Sequence, residues 1–208
     1  MRIVQRSVLP GFNVTMGFTL TYLCLVVLIP LSGLFVVASG ISFQEAKEIM
    51  SNILVKKAFF LTLRTSFFAA CVNAFFGLIV AWTLVRVRFP GRRVLDAMID
   101  LPFALPTAVS GIALARLYSD AGWIGSRLPF AVRNTELGVT LALVFIGLPF
   151  VVRTLQPAIE ELDKEMEEAA ASLGASRWQT FWRVIFPTLL PAHISGFTMA
   201  FARALGEY

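Results

Sequence analysis

Six carboxylates crowd into one short stretch of an otherwise apolar chain: Glu160, Glu161, Asp163, Glu165, Glu167 and Glu168. They lie in the polar interval PAIEELDKEMEEAAASLGASRWQTFWRVIFP, from Pro157 to Pro187. Such a set can pair with basic groups on a partner, and it falls in the first half of a helical stretch, where the helix dipole favours negative charge. Nothing beside it supplies a catalytic apparatus. The sequence contains no GxxxxGK[ST] loop to cradle a nucleotide, no GxSxG, no HExxH and no cysteine pair at metal spacing. His193 is the single histidine, with no second ligand of metal type near it, and is read as a packing residue. Cys24 and Cys71 each sit inside an apolar stretch and are read as small core residues, not as a disulfide. No metal site, no cofactor and no catalytic residue is therefore expected.

Two other ionisable features fall in apolar sequence. Arg203 and Glu207 are four apart and can pair on one helix face. An ionisable pair in a span is a functional candidate by default, with interfacial snorkelling as the alternative. Asp100 adjoins the proline-interrupted stretch LPFALPTAVSG, from Leu101 to Gly111, with Pro102 and Pro106 inside it. Backbone groups freed by proline must find partners in lipid, so such a segment faces other helices or a water-filled cavity. Two readings stand for it: the lining of a conduit, or a kinked packing helix.

The elements that must carry these residues are membrane spans. Of 208 residues, 57% are hydrophobic and 15% charged, far from soluble usage. The excess of 18 Lys and Arg over 13 Asp and Glu is scattered among loops between apolar runs, which suits loop anchoring and gives no nucleic-acid footprint. Five spans are expected in an all-α, polytopic bundle: Met16–Val37, Ala58–Val85, Val94–Leu117, Leu137–Val152 and Val184–Tyr208. The first is preceded by Arg2 and Arg6, but no small-residue cleavage site follows convincingly, so it is expected to be retained. Arg64, in the second, lies near its end and can snorkel. Residues 1–57 then form an N-terminus, first span and loop, and 58–208 the main transmembrane domain. Arg86, Arg88, Arg92 and Arg93 make a short basic loop, which the positive-inside rule places in the cytoplasm together with the N-terminus and the polar interval.

Within that interval, Ile159, Leu162, Met166, Ala169, Ala170 and Leu173 keep the three-and-four spacing of an amphipathic helix. Pro157 suits its first turn, and Gly174 its stop. Ser176 and Gln179 have the spacing of a capping box, so a second helix is expected to start at once and run through Trp178, Phe181 and Trp182. The interval reads as helix, elbow, helix.

At this elbow, Glu168-Ala169-Ala170, three residues, Gly174, nine residues, Val184, one residue and Phe186-Pro187 resemble the EAA loop of the membrane subunits of bacterial ABC importers. Val and Phe replace the usual Ile and Leu at the last apolar positions. VLPGF (Val8–Phe12), RFPGRRVLDAMIDLPFALPTAVSG (Arg88–Gly111), PFVVRTLQPAIEEL (Pro149–Leu162) and FARALGEY (Phe201–Tyr208) look like the T-type membrane subunit of the sulfate/thiosulfate permease branch. The resemblance covers nearly the whole chain. It implies a multi-pass protein of the bacterial inner membrane, with at least one more span expected after the GE pair, so that the chain reads as C-terminally incomplete. It further implies that the elbow is a coupling helix seated on a cytoplasmic ATPase through Glu168, Ala169, Ala170 and Gly174. The implied partners are two ATPase subunits, a second related permease subunit, an external sulfate/thiosulfate-binding protein and membrane lipid. Pro102, Pro106, Arg203 and Glu207 are the candidates for the translocation path. An ATPase-independent, ion-coupled oxyanion transporter and an inactive truncated remnant are the alternatives.

Overall fold

A computed structural model describes residues 11–207. Arg2, Arg6 and the Val8–Pro10 part of the VLPGF stretch lie outside the described residues. Among the described residues every regular element is a helix, and the chain divides into two compact units, residues 1–56 and 57–208.

In the first unit, α1 (Phe12–Leu23) passes through a π-helical turn at Cys24–Leu28 into α2 (Ile29–Ser39). The run Val14–Ser39 is long and apolar enough to cross a bilayer. Its widened turn has a local cause. Pro30 has no N–H, which leaves a carbonyl one turn back without its donor, and the Ile29 N–H bonds back five residues to the Cys24 carbonyl. The polar stretch that follows contains α3 (Phe43–Ser51), opened by a capping box: the Glu45 N–H donates to the Ser42 hydroxyl at 3.2 Å, and the Ser42 N–H donates to the Glu45 carboxylate at 2.9 Å. That backbone donor holds the Glu45 carboxyl below its ordinary value.

The second unit contains most of α4 (Ile53–Arg86), followed by α5 (Arg92–Ile99), α6 (Leu101–Ala104), α7 (Thr107–Leu117), α8 (Glu136–Glu160), α9 (Lys164–Ser172), α10 (Arg177–Thr180) and α11 (Phe186–Leu205). A second π-helical turn, Phe181–Ile185, joins α10 to α11. It stands in the same relation to Pro187 as the first does to Pro30, with the Phe186 N–H bonded to the Phe181 carbonyl. Among the described residues four runs are long and apolar enough to span: Val14–Ser39, Ile53–Arg86, Glu136–Glu160 and Arg177–Leu205. The interval Val94–Leu117, expected as a fifth span, is not one helix but the three short ones α5, α6 and α7. Proline is the reason. Leu105, ahead of Pro106, is driven to an extended conformation (φ −98°, ψ 133°), because the pyrrolidine ring disfavours helical geometry in the residue before it. The Arg88–Arg93 loop turns at Pro90-Gly91, where Gly91 takes φ +88° and the Arg92 N–H reaches the Phe89 carbonyl at 3.4 Å.

The unit is built around α8. Val151, Val152, Leu155 and Ile159 are fully buried, packed with Ala81 and Leu84 of α4 and Leu189 and Ala200 of α11. Glycines set the helix spacing. A Cβ on Gly77 of α4 would lie 2.6 Å from Val151 Cγ1, and one on Gly196 of α11 would lie 3.2 Å from Val151 Cα. Membrane helices gain little from excluding lipid, so close backbone approach at small residues is what holds them together. Cys24 and Cys71 are exposed on the chain's surface, contrary to the expectation of core positions. A lipid-facing surface is as apolar as a core, so apolar neighbours in sequence do not separate the two.

Gly77→Leu is expected to lower the thermal midpoint of the detergent-solubilised chain, at an overpacking cost of about 1–3 kcal/mol. Gly33→Leu, where a Cβ would meet nothing within 4 Å, is expected to leave it unchanged. Thermal unfolding of the two variants side by side checks this.

Candidate functional site

The elbow is assembled from backbone rules that can be followed residue by residue. α8 continues through Pro157 and ends at Glu160, so Pro157 is interior to α8 and does not open a new helix. The tertiary burial of Leu155 and Ile159 on either side overrides the proline's preference for a first turn. The break comes later, at residues 161–163. Asp163 restarts the helix by accepting the Glu165 N–H on its carboxylate at 2.9 Å, which caps α9. At the other end of α9, Gly174 adopts φ +81°. The Ala175 N–H returns to the Ala170 carbonyl at 3.0 Å and the Gly174 N–H to the Ala171 carbonyl at 2.9 Å, a Schellman closure that only a left-handed residue permits cheaply. The capping box of Ser176 and Gln179 forms as expected, with the Ser176 N–H on Gln179 Oε1 at 2.8 Å and the Gln179 N–H on Ser176 Oγ at 3.3 Å.

One face of α9 is fastened and the other is free. Arg86, the last residue of α4, extends Nη2 to the Glu167 carboxylate at 3.0 Å and to the Leu162 carbonyl at 3.4 Å, while its guanidinium lies over the Trp82 ring. Its position at the end of α4 lets it reach the carbonyl that the 161–163 break leaves open. Leu162 and Ala170 are buried against the bundle. Glu168, Ala169 and Gly174 are exposed, and of the expected apolar stripe Met166 and Leu173 are exposed as well, Leu173 at 89%. The stripe is therefore split: Ile159, Leu162 and Ala170 turn inward, and Met166, Ala169 and Leu173 point away beside Glu165 and Glu168. An apolar cavity of about 590 Å³ lies between the end of α4 and the elbow, walled by Trp82, Trp178, Phe181 and Ile185 with Glu167 and Arg177 at its edges. Trp82 meets Phe181 edge to face at 6.1 Å, tying the π-helical turn after α10 to α4.

The remaining candidates separate into two groups. Pro102 is buried on α6 and Pro106 exposed at its end, while Arg203 and Glu207 pair with each other at the opposite end of the unit from the elbow. Near that end Arg64 pairs with Glu136 at the start of α8. His193 is half-buried and packs edge-on to Phe186 at 5.8 Å, as a packing residue should.

One polar cluster was not foreseen from the sequence. Arg153 of α8 grips Asp100 with Nε at 2.9 Å and Nη2 at 2.6 Å. Its Nη1 reaches Asp96 at 2.7 Å and Gln156 at 2.6 Å, and Gln156 in turn donates to Asp96 at 3.3 Å. The available signal was two carboxylates four apart, Asp96 and Asp100, in a short segment that needed a cationic partner.

Cutting the tether with Arg86→Gln is expected to speed amide exchange in residues 164–172 about threefold to fivefold, since a partly exposed pair is worth up to about 1 kcal/mol. Exchange in the core of α8 is expected to stay as it was, and hydrogen-exchange mass spectrometry reads both.

Residues 73–208 match the family described as binding-protein-dependent transport system inner membrane component. The chain is 51% identical over 193 residues to a probable sulfate transport system permease protein of Chlorokybus atmophyticus, covering 91% of this chain and 68% of that one. It is 46% identical over 209 residues to the sulfate transport system permease protein of Escherichia coli K12, covering 99% of this chain and 76% of the other, and 47% identical over 193 residues to the corresponding Synechocystis protein. The helical bundle, the spaced elbow sequence and these likenesses together place the chain in the family of binding-protein-dependent transport system inner membrane components.

Proposed function

We propose that the chain is the membrane-spanning permease subunit of an ATP-driven importer for sulfate or thiosulfate. ATP is hydrolysed on a separate cytoplasmic subunit. The observation that carries this reading is the split face of α9: Glu167 fastened to Arg86, with Glu168, Ala169 and Gly174 left exposed at the spacing of an ATPase-docking loop. A membrane-surface helix would bear Lys and Arg on its polar face, and α9 bears Glu165, Glu167 and Glu168 against the single Lys164. Small alanines allow close approach of a partner helix, and the carboxylates suit a basic groove. In this reading Glu168, Ala169, Ala170 and Gly174 form the docking site, Ala170 from below by seating α9 on the bundle. The elbow, the Arg88–Arg93 loop and the N-terminus face the cytoplasm, in accord with the positive-inside rule.

The working unit would be this chain, a second related permease, two ATPase subunits and an external binding protein that delivers the anion. Closure of the ATPases would drive the elbows and rock the bundles between inward-facing and outward-facing states, as alternating access requires. Selectivity would rest with the binding protein. The path would run past the proline-broken segment of Pro102 and Pro106 toward the Arg203–Glu207 pair.

Labelled-sulfate uptake, in cells lacking their own sulfate permease and supplied with this chain and the companion subunits, tests the reading. Uptake is expected to require ATP. Glu168→Lys combined with Gly174→Pro is expected to abolish co-purification of the ATPase and to cut uptake about tenfold or more. Uptake that persists without the ATPase would point instead to an ion-coupled oxyanion transporter.

A further inference from the structure

We infer that Arg153 is the positioning residue that makes the proline-broken segment move with the elbow. The inference rests on the importer reading for its functional meaning and on geometry for its mechanics. Arg153, Gln156 and Glu160 share one face of α8, separated by three and four residues, while Val151, Val152, Leu155 and Ile159 fill the buried faces. The polar face looks into a cleft of about 530 Å³ bordered by Arg92, Arg93 and Asp96. Across that cleft lies α5, an eight-residue helix that is too short to hold its own position.

The Arg153 guanidinium supplies the fixing. It takes Asp100 with two N–H groups at 2.6 and 2.9 Å, Asp96 with a third at 2.7 Å, and the Asp96 carbonyl at 3.1 Å. Two carboxylates on one helix face would repel each other, and the single planar fork neutralises both while fixing their angle to α8. Asp100 is the joint between α5 and α6, so the grip falls on the residue where the backbone changes direction. Below it, Phe103 of α6 meets Phe150 of α8 edge to face at 5.1 Å, a second point of attachment. Two attachments make α5–α6 a rigid branch of α8. On the other side, α8 continues without interruption to Glu160, at the threshold of the elbow. Arg153 therefore sits where displacement of α9 is converted into displacement of the segment around Pro102 and Pro106.

A lysine cannot replace this fork, because one ammonium has no planar geometry with which to hold two carboxylates at a fixed angle. Two measurements decide the matter. In the assembled transporter, Arg153→Lys and Asp100→Asn are each expected to lower sulfate uptake about tenfold while ATP hydrolysis falls about twofold at most, so that ATP consumed per anion rises. If uptake and hydrolysis fall in parallel, or if the Arg153→Lys variant keeps the unmodified ratio of ATP to anion, Arg153 is only a structural support and the inference fails. The second measurement needs no transport. Gly174→Pro disturbs the elbow, and it is expected to change amide exchange across residues 92–105 when Arg153 is present and to leave it unchanged in an Arg153→Gln background. Equal responses in both backgrounds overturn the inference, whatever the transporter proves to carry; absence of ATP-driven uptake in the unmodified assembly counts against the importer reading alone.

Discussion

The close approach of three helices at Val151 is the constraint on which the rest of the second unit depends. Gly77 of α4 and Gly196 of α11 bring two backbones against one valine on α8. Because lipid is as apolar as a leucine side chain, the bundle cannot be held by hydrophobic exclusion and must be held by contact. The ion pairs of the unit lie around that contact. The Arg64–Glu136 and Arg203–Glu207 pairs lie toward one end, Arg86–Glu167 at the other, and Arg153 with Asp96 and Asp100 on the flank of α8 that the other helices leave open. Ionic groups sit at the ends or on the open flank, where hydration lessens the cost of ionisation, and the glycine-lined middle is free of them.

Proline shapes the unit in three different ways, and surroundings decide which. Pro187 widens the turn before it but the helix continues, because the preceding N–H finds a carbonyl five residues back. Pro106 breaks its segment outright, since Leu105 has no packing strong enough to hold it helical. Pro157 does neither. It lies between Leu155 and Ile159, both fully buried, and packing keeps α8 helical past it. The same residue type thus gives a bulge, a break and an uninterrupted helix within one fold.

That range explains what was legible in the sequence and what was not. Local backbone chemistry was: the Ser176–Gln179 capping box, the stop at Gly174 and the pairing of Arg203 with Glu207 all follow from short spacings, and all appear in the structure. The apolar runs gave four of the five expected spans as continuous helices, with boundaries displaced by several residues. Failures came where a distant contact decides. Pro157 read as a helix start because nothing local reveals that Leu155 and Ile159 are core. The stripe on α9 read as one face because periodicity cannot tell which of its apolar residues the bundle buries, and Leu173 is exposed. Asp96 and Arg153 are 57 residues apart, a separation that no spacing rule covers.

The elbow's stiffness follows from these same placements. Had α8 ended at Pro157, the polar interval would hang from the bundle by a flexible joint, and a push on α9 would be absorbed there. Because α8 runs on to Glu160, the unstructured connection is confined to residues 161–163, and Arg86 braces it by holding Leu162 within the gap and Glu167 beyond it. The Schellman turn at Gly174 and the capping box at Ser176 then close the return path toward α11 with paired backbone groups. α9 is in this way held between α8 and α11, which pack against each other. Only residues 161–163 lie outside regular helix between α8 and α9, so the Arg86 contacts fall where the backbone itself gives the least restraint.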